Sequence, residues 1–372
     1  MYLGEIIMSN PRENSLLFKE VEMGSIKLKN RMVMSPMTRS RSINNIPSDL
    51  VAKYYEQRAG AGLIITEGTS PSPNGLGYPR IPGAYSEEQK EGWKKVADAV
   101  HKHGSKIFIQ FMHTGRVSHP DNLPNGAKHI APSAIGITGE MWTDANGLQK
   151  YPIPEEMTAK DIEDTKKEFV HSAKVSIEAG IDGVELHAAN GYLLEQFLNP
   201  ISNTRKDSYS GNSENRNRFV LEVVKDVVNA IGKEKVGIRI SPYGVFNDMQ
   251  PFDGIEDQYE ALVKALNEMG IAYVHLVNHE SMGAPKVPES MIHKIRNAFK
   301  HTFILSGGFD FDRADKSITS KEGELVAFGR PFLSNPDLVE KLKHNQELTS
   351  PDFDTFYTPG EKGYTDYPTH KG

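Results

Sequence analysis

The chain has no cysteine, so disulfides, thiolate metal centres and cysteine nucleophiles are excluded. Although 38% of its 372 residues are hydrophobic, no stretch approaches the ~20 continuous apolar residues of a membrane-crossing helix. The opening M-Y-L-G-E-I-I-M-S-N lacks the basic region and small-residue cleavage site of a secretory leader, and Met8 is an alternative start. A cytoplasmic protein without a membrane partner is expected. Clustered basic charge is missing too: the formal net charge is -6, with lysines and arginines scattered, which argues against a nucleic-acid partner. No G-x-G-x-x-G follows a strand candidate, no low-complexity linker divides the chain, and no internal repeat is visible. A single domain is expected over 15–372, after a disordered extension over 1–14.

What is present is alternation. Segments 32–37, 62–68, 106–111, 183–187, 236–241, 273–277, 303–306 and 325–329 read as strands. Several are near-continuous apolar runs, as parallel strands covered on both faces should be. Helical segments separate them, at 47–59, 87–102, from 158 onward, 213–230, 256–269, 288–299 and 336–343. Ser86 with Gln89 and Thr158 with Asp161 supply start signals. The 310–322 segment is short and polar and gives the weakest helix signal. Eight strand-helix repeats predict an α/β fold, a (β/α)8 TIM barrel. A hairpin over 21–28 should plug the barrel floor. The 112–157 excursion after the third strand is long enough to predict a lid or binding loop.

Chemistry is expected where strands end, because side chains there are held by the sheet yet exposed at the rim. The richest exit reads G-V-E-L-H-A-A-N-G-Y over 183–192. One turn of helix after the strand would bring His187 and Asn190 onto one face, a donor pair able to grip a carbonyl or nitro oxygen. Tyr192 adds a phenol able to release a proton. The other exits carry Pro36, Met37 and Thr38; Glu67 and Gly68; Gln110, then His113 and Arg116; Arg239; Gly307 and Gly308; Gly329 and Arg330. Paired glycines with an adjacent arginine suit a phosphate. Blander readings stand beside these: Arg239 as an ion-pair partner of Glu185, Gln110 as a satisfier of core backbone groups, Thr38 as a helix cap. Tyr78, Phe356 and Tyr357 read as loop packing, and His101 and His103 as surface residues.

Taken together, M-S-P-M-T-R (34–39), Q-F-M-H-T-G-R (110–116), V-E-L-H-A-A-N-G-Y-L-L-E-Q-F-L-N-P (184–200), N-R-N-R-F (215–219), G-I-R-I-S-P (237–242) and A-F-G-R-P-F-L-S-N-P-D-L (327–338) resemble the old yellow enzyme family of flavin-dependent ene-reductases. The likeness spans about 17–368. The tail G-Y-T-D-Y-P (363–368) is similar to the classical bacterial branch, that of the pentaerythritol tetranitrate and N-ethylmaleimide reductases. Thr38 stands where another branch usually carries cysteine.

The resemblance implies non-covalent FMN, with NADPH or NADH as hydride donor. It implies Pro36, Met37, Thr38 and Gly68 around the ring, Gln110 at its pyrimidine edge and Arg239 near N1 and O2. Gly307, Gly308, Gly329 and Arg330 would take the phosphate. It further implies ping-pong reduction of electron-poor alkenes such as enones and maleimides, and of nitro compounds. In that scheme His187 and Asn190 hold the activating oxygen and Tyr192 is the proton donor. Tyr78 and Tyr357 would roof the substrate. Met112 stands where many relatives have tryptophan, which should widen the pocket. Relatives occur as monomers and homodimers. Three rivals have weaker support: a metal-dependent hydrolase lacks converging ligands, a Schiff-base aldolase lacks a lysine at a strand exit, and a non-catalytic flavin-binding sensor has no need of Tyr192.

Overall fold

The computed structural model of the chain describes residues 11–369. The expected disorder of 1–10 and the choice between Met1 and Met8 lie outside the described residues. Pro11–Asn14, expected within the extension, instead forms a short 3-10 turn.

A hairpin of β1 (Val21–Met23) and β2 (Ile26–Leu28) leads into β3 (Met32–Met34). Then come α1 (Asp49–Gln57), β4 (Leu63–Ile65), α2 (Glu87–His101) and β5 (Lys106–Phe111). The excursion contributes β6 (Ile130–Ala131), β7 (Glu140–Thr143), β8 (Gly147–Lys150) and β9 (Glu155–Glu156). Next are α3 (Ala159–Glu178), β10 (Gly183–Ala188), α4 (Leu193–Leu198) and α5 (Ser213–Ile231). The alternation continues through β11 (Val236–Ile240), α6 (Ile255–Met269), β12 (Tyr273–Val277) and α7 (Glu289–Ala298). It ends with β13 (Thr302–Ser306), α8 (Phe311–Thr319), β14 (Leu325–Phe328), α9 (Arg330–Ser334) and α10 (Leu338–Lys343).

β3, β4, β5 and β10 to β14 close into one parallel barrel. All eight fall on the expected segments, and β3 stops short of Met37 because Pro36 has no N–H for the ladder. Both capping boxes form, Ser86 with Gln89 and Thr158 with Asp161. The weakly signalled 310–322 segment is helical because Asp310 caps it, its side chain accepting the Arg313 N–H at 2.8 Å.

The barrel interior is layered, since alternate residues of each strand point inward. Low in the barrel, Phe108 and Tyr273 pack with Val33, Leu63 and Ile304. Gly237 makes room for this layer: a Cβ there would come within 2.2 Å of the Tyr273 ring. Met23 and Leu28 join the same cluster from the hairpin, which therefore plugs the floor. Burying each such large apolar side chain is worth about 1.5–3 kcal/mol. Above this layer the register turns polar: Glu185 lies opposite Gln110, His187 opposite Arg239, and Arg239 opposite His275.

Two segments wrap the mouth. The excursion is tied down where Thr138 donates its N–H (2.6 Å) and hydroxyl (2.9 Å) to Asp248, and where Asp144 pairs with Arg80. The C-terminal strap, 349–368, is gripped by buried arginines that read its backbone. Arg41 donates to the carbonyls of Thr355 (2.8 Å), Phe356 (2.8 Å), Gly360 (3.1 Å) and Lys362 (2.9 Å). Arg39 reaches Gly363 O at 2.6 Å, and Tyr364 stacks on Tyr54 with centroids 4.0 Å apart. Among the described residues no helix is long and apolar enough to cross a membrane.

Candidate active site

A cavity of about 640 Å³ opens at the carboxyl mouth of the barrel. Every site residue implied by the family resemblance lines it: Pro36, Met37, Thr38, Gly68, Tyr78, Gln110, Met112, His187, Asn190, Tyr192, Arg239, Gly307, Gly308, Gly329, Arg330 and Tyr357; Glu67, His113 and Arg116, also at strand exits, do not. Phe356 lines it as well. Among the described lining residues, Met112 is the sole contribution of the long excursion, whose remainder wraps the mouth through its ties to Asp248 and Arg80. The rim is built by the loops after β11 and β12, with Phe246, Asn247, His279 and Met282, and by the strap.

His187 leaves β10 buried, and its Nδ1 has no partner. Burial, and after it the nearby Arg239 guanidinium, holds its imidazole well below the usual range, so it is neutral. Asn190 does not reach it through a helical turn as expected. β10 runs to Ala188, α4 starts only at Leu193, and Asn190 has φ 57°. A left-handed turn, which asparagine tolerates better than most residues, replaces the helix. That turn is held tightly: Ser241 Oγ accepts the Asn190 N–H (2.9 Å) and Asn247 Nδ2 donates to the Asn190 carbonyl (2.7 Å). Asn190 Oδ1 lies 2.9 Å from His279 Nε2.

Glu195, buried beneath the turn, accepts from Gly191 N–H (2.5 Å), Ser241 Oγ (2.7 Å) and Tyr259 hydroxyl (3.3 Å). Burial pushes its carboxyl up to about 7. Tyr192 immediately precedes α4, its ring 5.0 Å from the His187 ring and its hydroxyl 3.0 Å from that of Tyr78. Burial pushes its phenol up to about 12, so it keeps its proton at neutral pH.

On the barrel side, Glu185 accepts from Gln110 Nε2 (2.8 Å) and bonds His275 Nδ1 (2.9 Å). Gln110 thus bonds a side chain, not the core backbone groups of the blander reading. Burial opposes the Glu185 charge, but His275, Arg239 and Gln110 hold its carboxyl below the ordinary range. No salt bridge joins Glu185 to Arg239 among the described residues, although the guanidinium acts on that carboxyl at longer range. Arg239 is 6% exposed with no hydrogen-bond partner for its Nε. Thr38 lies in an irregular segment rather than at a helix cap, and Glu67 fixes that segment by accepting the N–H groups of Arg39 (3.0 Å) and Ser40 (3.3 Å). At the far end Gly307, at φ 124°, admits only glycine, because a Cβ would sit 1.9 Å from the Asn278 carbonyl oxygen. Away from the cavity, His101 pairs with Asp182 at 2.7 Å and His103 stays half exposed.

The sequence profile of the NADH:flavin oxidoreductase / NADH oxidase family matches residues 16–349. The chain belongs to this family, the old yellow enzymes. It is 40% identical over 359 residues to 12-oxophytodienoate reductase 1 of Oryza sativa subsp. japonica, covering 95% of this chain and 92% of that one. A Leishmania infantum protein named a probable flavin mononucleotide-dependent alkene reductase is 38% identical over 358 residues, 95% of this chain and 97% of that one. The structure of morphinone reductase in complex with tetrahydroNAD superposes with TM-score 0.91 at 39% identity, covering 96% of this chain and 98% of that one. As an old yellow enzyme the chain is an NAD(P)H:flavin oxidoreductase of the ene-reductase class. The hydrolase and aldolase readings fall with that membership.

The family implies a flavin and a nicotinamide, and the residues present fit a flavin. A buried guanidinium with an unpaired Nε requires an electron-rich partner, as ring atoms or their anion supply. The Gly307–Gly308 turn leaves backbone open beside Arg330, a cradle for a phosphate. His279 follows β12 by two residues, so the strand-exit criterion reaches it. Phe246, Asn247 and Met282 carry no sequence signal, being placed by loop packing alone.

Proposed function

We propose that the chain is an FMN-dependent reductase of carbon-carbon double bonds activated by a carbonyl, with His187 and Asn190 as the oxygen grip and Tyr192 as the proton donor. The observation that carries this reading is the convergence of these three polar side chains on one cavity beside the Arg239 guanidinium, which lies next to His187 in register and leaves its Nε unpaired. Pro36, Met37, Thr38, Gly68, Gln110 and Arg239 would hold the ring, and Gly307, Gly308, Gly329 and Arg330 the phosphate. When bound, FMN supplies reversible two-electron hydride chemistry between the nicotinamide and the alkene.

The chain's own residues do the rest. His187 is neutral and offers an N–H donor, and Asn190 offers its amide N–H groups. Two donors on one oxygen draw charge from the double bond and stabilise the enolate as it forms. Tyr192, held protonated by burial, gives its proton to the carbon next to the carbonyl, and solvent restores it afterwards. Tyr78, bonded to the same hydroxyl, keeps the phenol aimed into the cavity. Buried Met112 gives the alkene an apolar neighbour, while Phe246, Met282 and Tyr357 stand at the exposed rim. Thr38 supports the classical branch within the family.

Purified protein should be yellow. Anaerobic NAD(P)H should bleach it, and 2-cyclohexenone should restore the colour with stoichiometric loss of the double bond. A flavin-binding sensor would bleach without reoxidation by the enone. Protein that stays colourless with FMN in excess would overturn the reading.

A further inference from the structure

We propose that His279 is a positioning residue that decides which end of the Asn190 carboxamide faces the substrate. The inference rests on the reading of Asn190 as half of the oxygen grip, and it concerns a residue outside that pair.

A primary carboxamide is nearly symmetric in shape, with an oxygen that accepts and an NH2 that donates. Rotation about its last torsion is soft, so sterics alone do not choose between the two orientations. The choice matters here. Turned one way, Asn190 offers N–H donors to a carbonyl oxygen; turned the other, it sets its own oxygen against that oxygen. The Asn190 backbone is already immobilised by Ser241 and Asn247, in a left-handed conformation. What remains free is the amide end, and there the partner is His279, whose Nε2 lies 2.9 Å from Oδ1. An imidazole N–H donating to Oδ1 ties the oxygen away and leaves Nδ2 as the group for the ligand.

His279 is well placed for such a task. It sits just past β12, and the edge of Phe246 packs against its ring at 4.8 Å between centroids. Burial, together with Arg239, His275 and Arg330, keeps its imidazole down at about 3, so it is neutral in the working range. A neutral ring has one N–H, and the bond to Oδ1 selects the Nε2–H tautomer. The arrangement works across 89 residues of sequence, because both loops rise from strands of the same barrel.

The test compares His279→Phe, which keeps the ring without a donor, with His279→Gln, which returns a donor. Asn190→Ala and the double variant Asn190→Ala/His279→Phe complete a cycle. Flavin-loaded proteins are assayed by anaerobic stopped flow, the half-reaction with 2-cyclohexenone apart from that with NADPH. His279→Phe should lower the second-order rate constant for the enone about tenfold, the scale of one misdirected donor. His279→Gln should recover to within about threefold of wild type, and His279→Phe should have no further effect once Asn190 is alanine. An unaltered rate in His279→Phe, a failure of His279→Gln to recover it, or additivity in the cycle would each overturn the proposal. Should His279→Phe not accumulate as folded flavoprotein, His279→Ala takes its place in the same cycle with the same outcomes. Wild-type protein that binds no flavin or reduces no enone defeats the reading of the site itself, which is a different result from a wild-type enzyme indifferent to residue 279.

Discussion

At the scale of single residues, the site separates tasks by protonation state. Tyr192 is held protonated by burial and His187 is held neutral by burial and the Arg239 guanidinium, so each is in its working form over the whole neutral range. Neither group titrates between roughly 6 and 9, so any pH dependence of the enone half-reaction there, measured by stopped flow, should be a single shallow step near 7 from Glu195 beneath the Asn190 turn. Replacing Tyr192 by Phe removes the proton but not the shape. It should slow that half-reaction about 10²–10⁴-fold while reduction by NADPH stays near wild type. Met112 packs with Tyr78 and Tyr192 in a small apolar cluster over the cavity. Met112→Trp should shrink the space beside them and change the enantiomeric excess of products from bulky enones; identical selectivity over a panel would show that the thioether has no steering role.

At the scale of elements, barrel strands and caps were legible and cross-strand networks were not. β5 and β12 follow from sequence to the residue, because each is a run of apolar, β-prone residues broken by a single inner polar position, Gln110 in one and His275 in the other. The bonds of Glu185 to Gln110 and His275 join residues 75 and 90 positions apart, through a register that no local pattern encodes. At Asn190 a spacing of three suits a helix and a tight turn alike, and only the left-handed backbone separates them.

Two tests belong at this scale. Asp310→Ala should cost about 1 kcal/mol in denaturant unfolding, since the cap of α8 is its one strong start signal. His113, at the root of the excursion, is pushed down to about 3 by burial and the nearby His129. That lies below the ~6.5 of an unfolded chain, so between the two values the native state binds fewer protons and stability falls as pH drops. His113→Asn keeps an acceptor for the Gly115 N–H now bonded to Nδ1 at 3.2 Å. It should make the pH dependence of unfolding shallower by about 1.4 kcal/mol per unit over that window.

At the scale of the molecule, a barrel closed below by a hairpin is completed above by the strap. The sequence announced the hairpin through its alternating apolar residues. It did not announce the strap's anchorage, because the acceptors are backbone carbonyls, which every residue possesses and none advertises. Arg41→Met should release the strap around 353–362, raising limited proteolysis there at least tenfold while the main thermal transition shifts little, because several charge-assisted bonds are lost from one segment. Enone KM should rise as well, since Phe356 and Tyr357 border the cavity.

The strap also sets an order of events during synthesis. Its residues emerge from the ribosome after every barrel strand, so a growing chain can close its staves while the vessel still stands open. The aromatic pair at 356 and 357 arrives after the last barrel strand, over an interior already shaped. Loading of a prosthetic group can therefore precede capping, and a chain halted before residue 353 would be a cup without its cover.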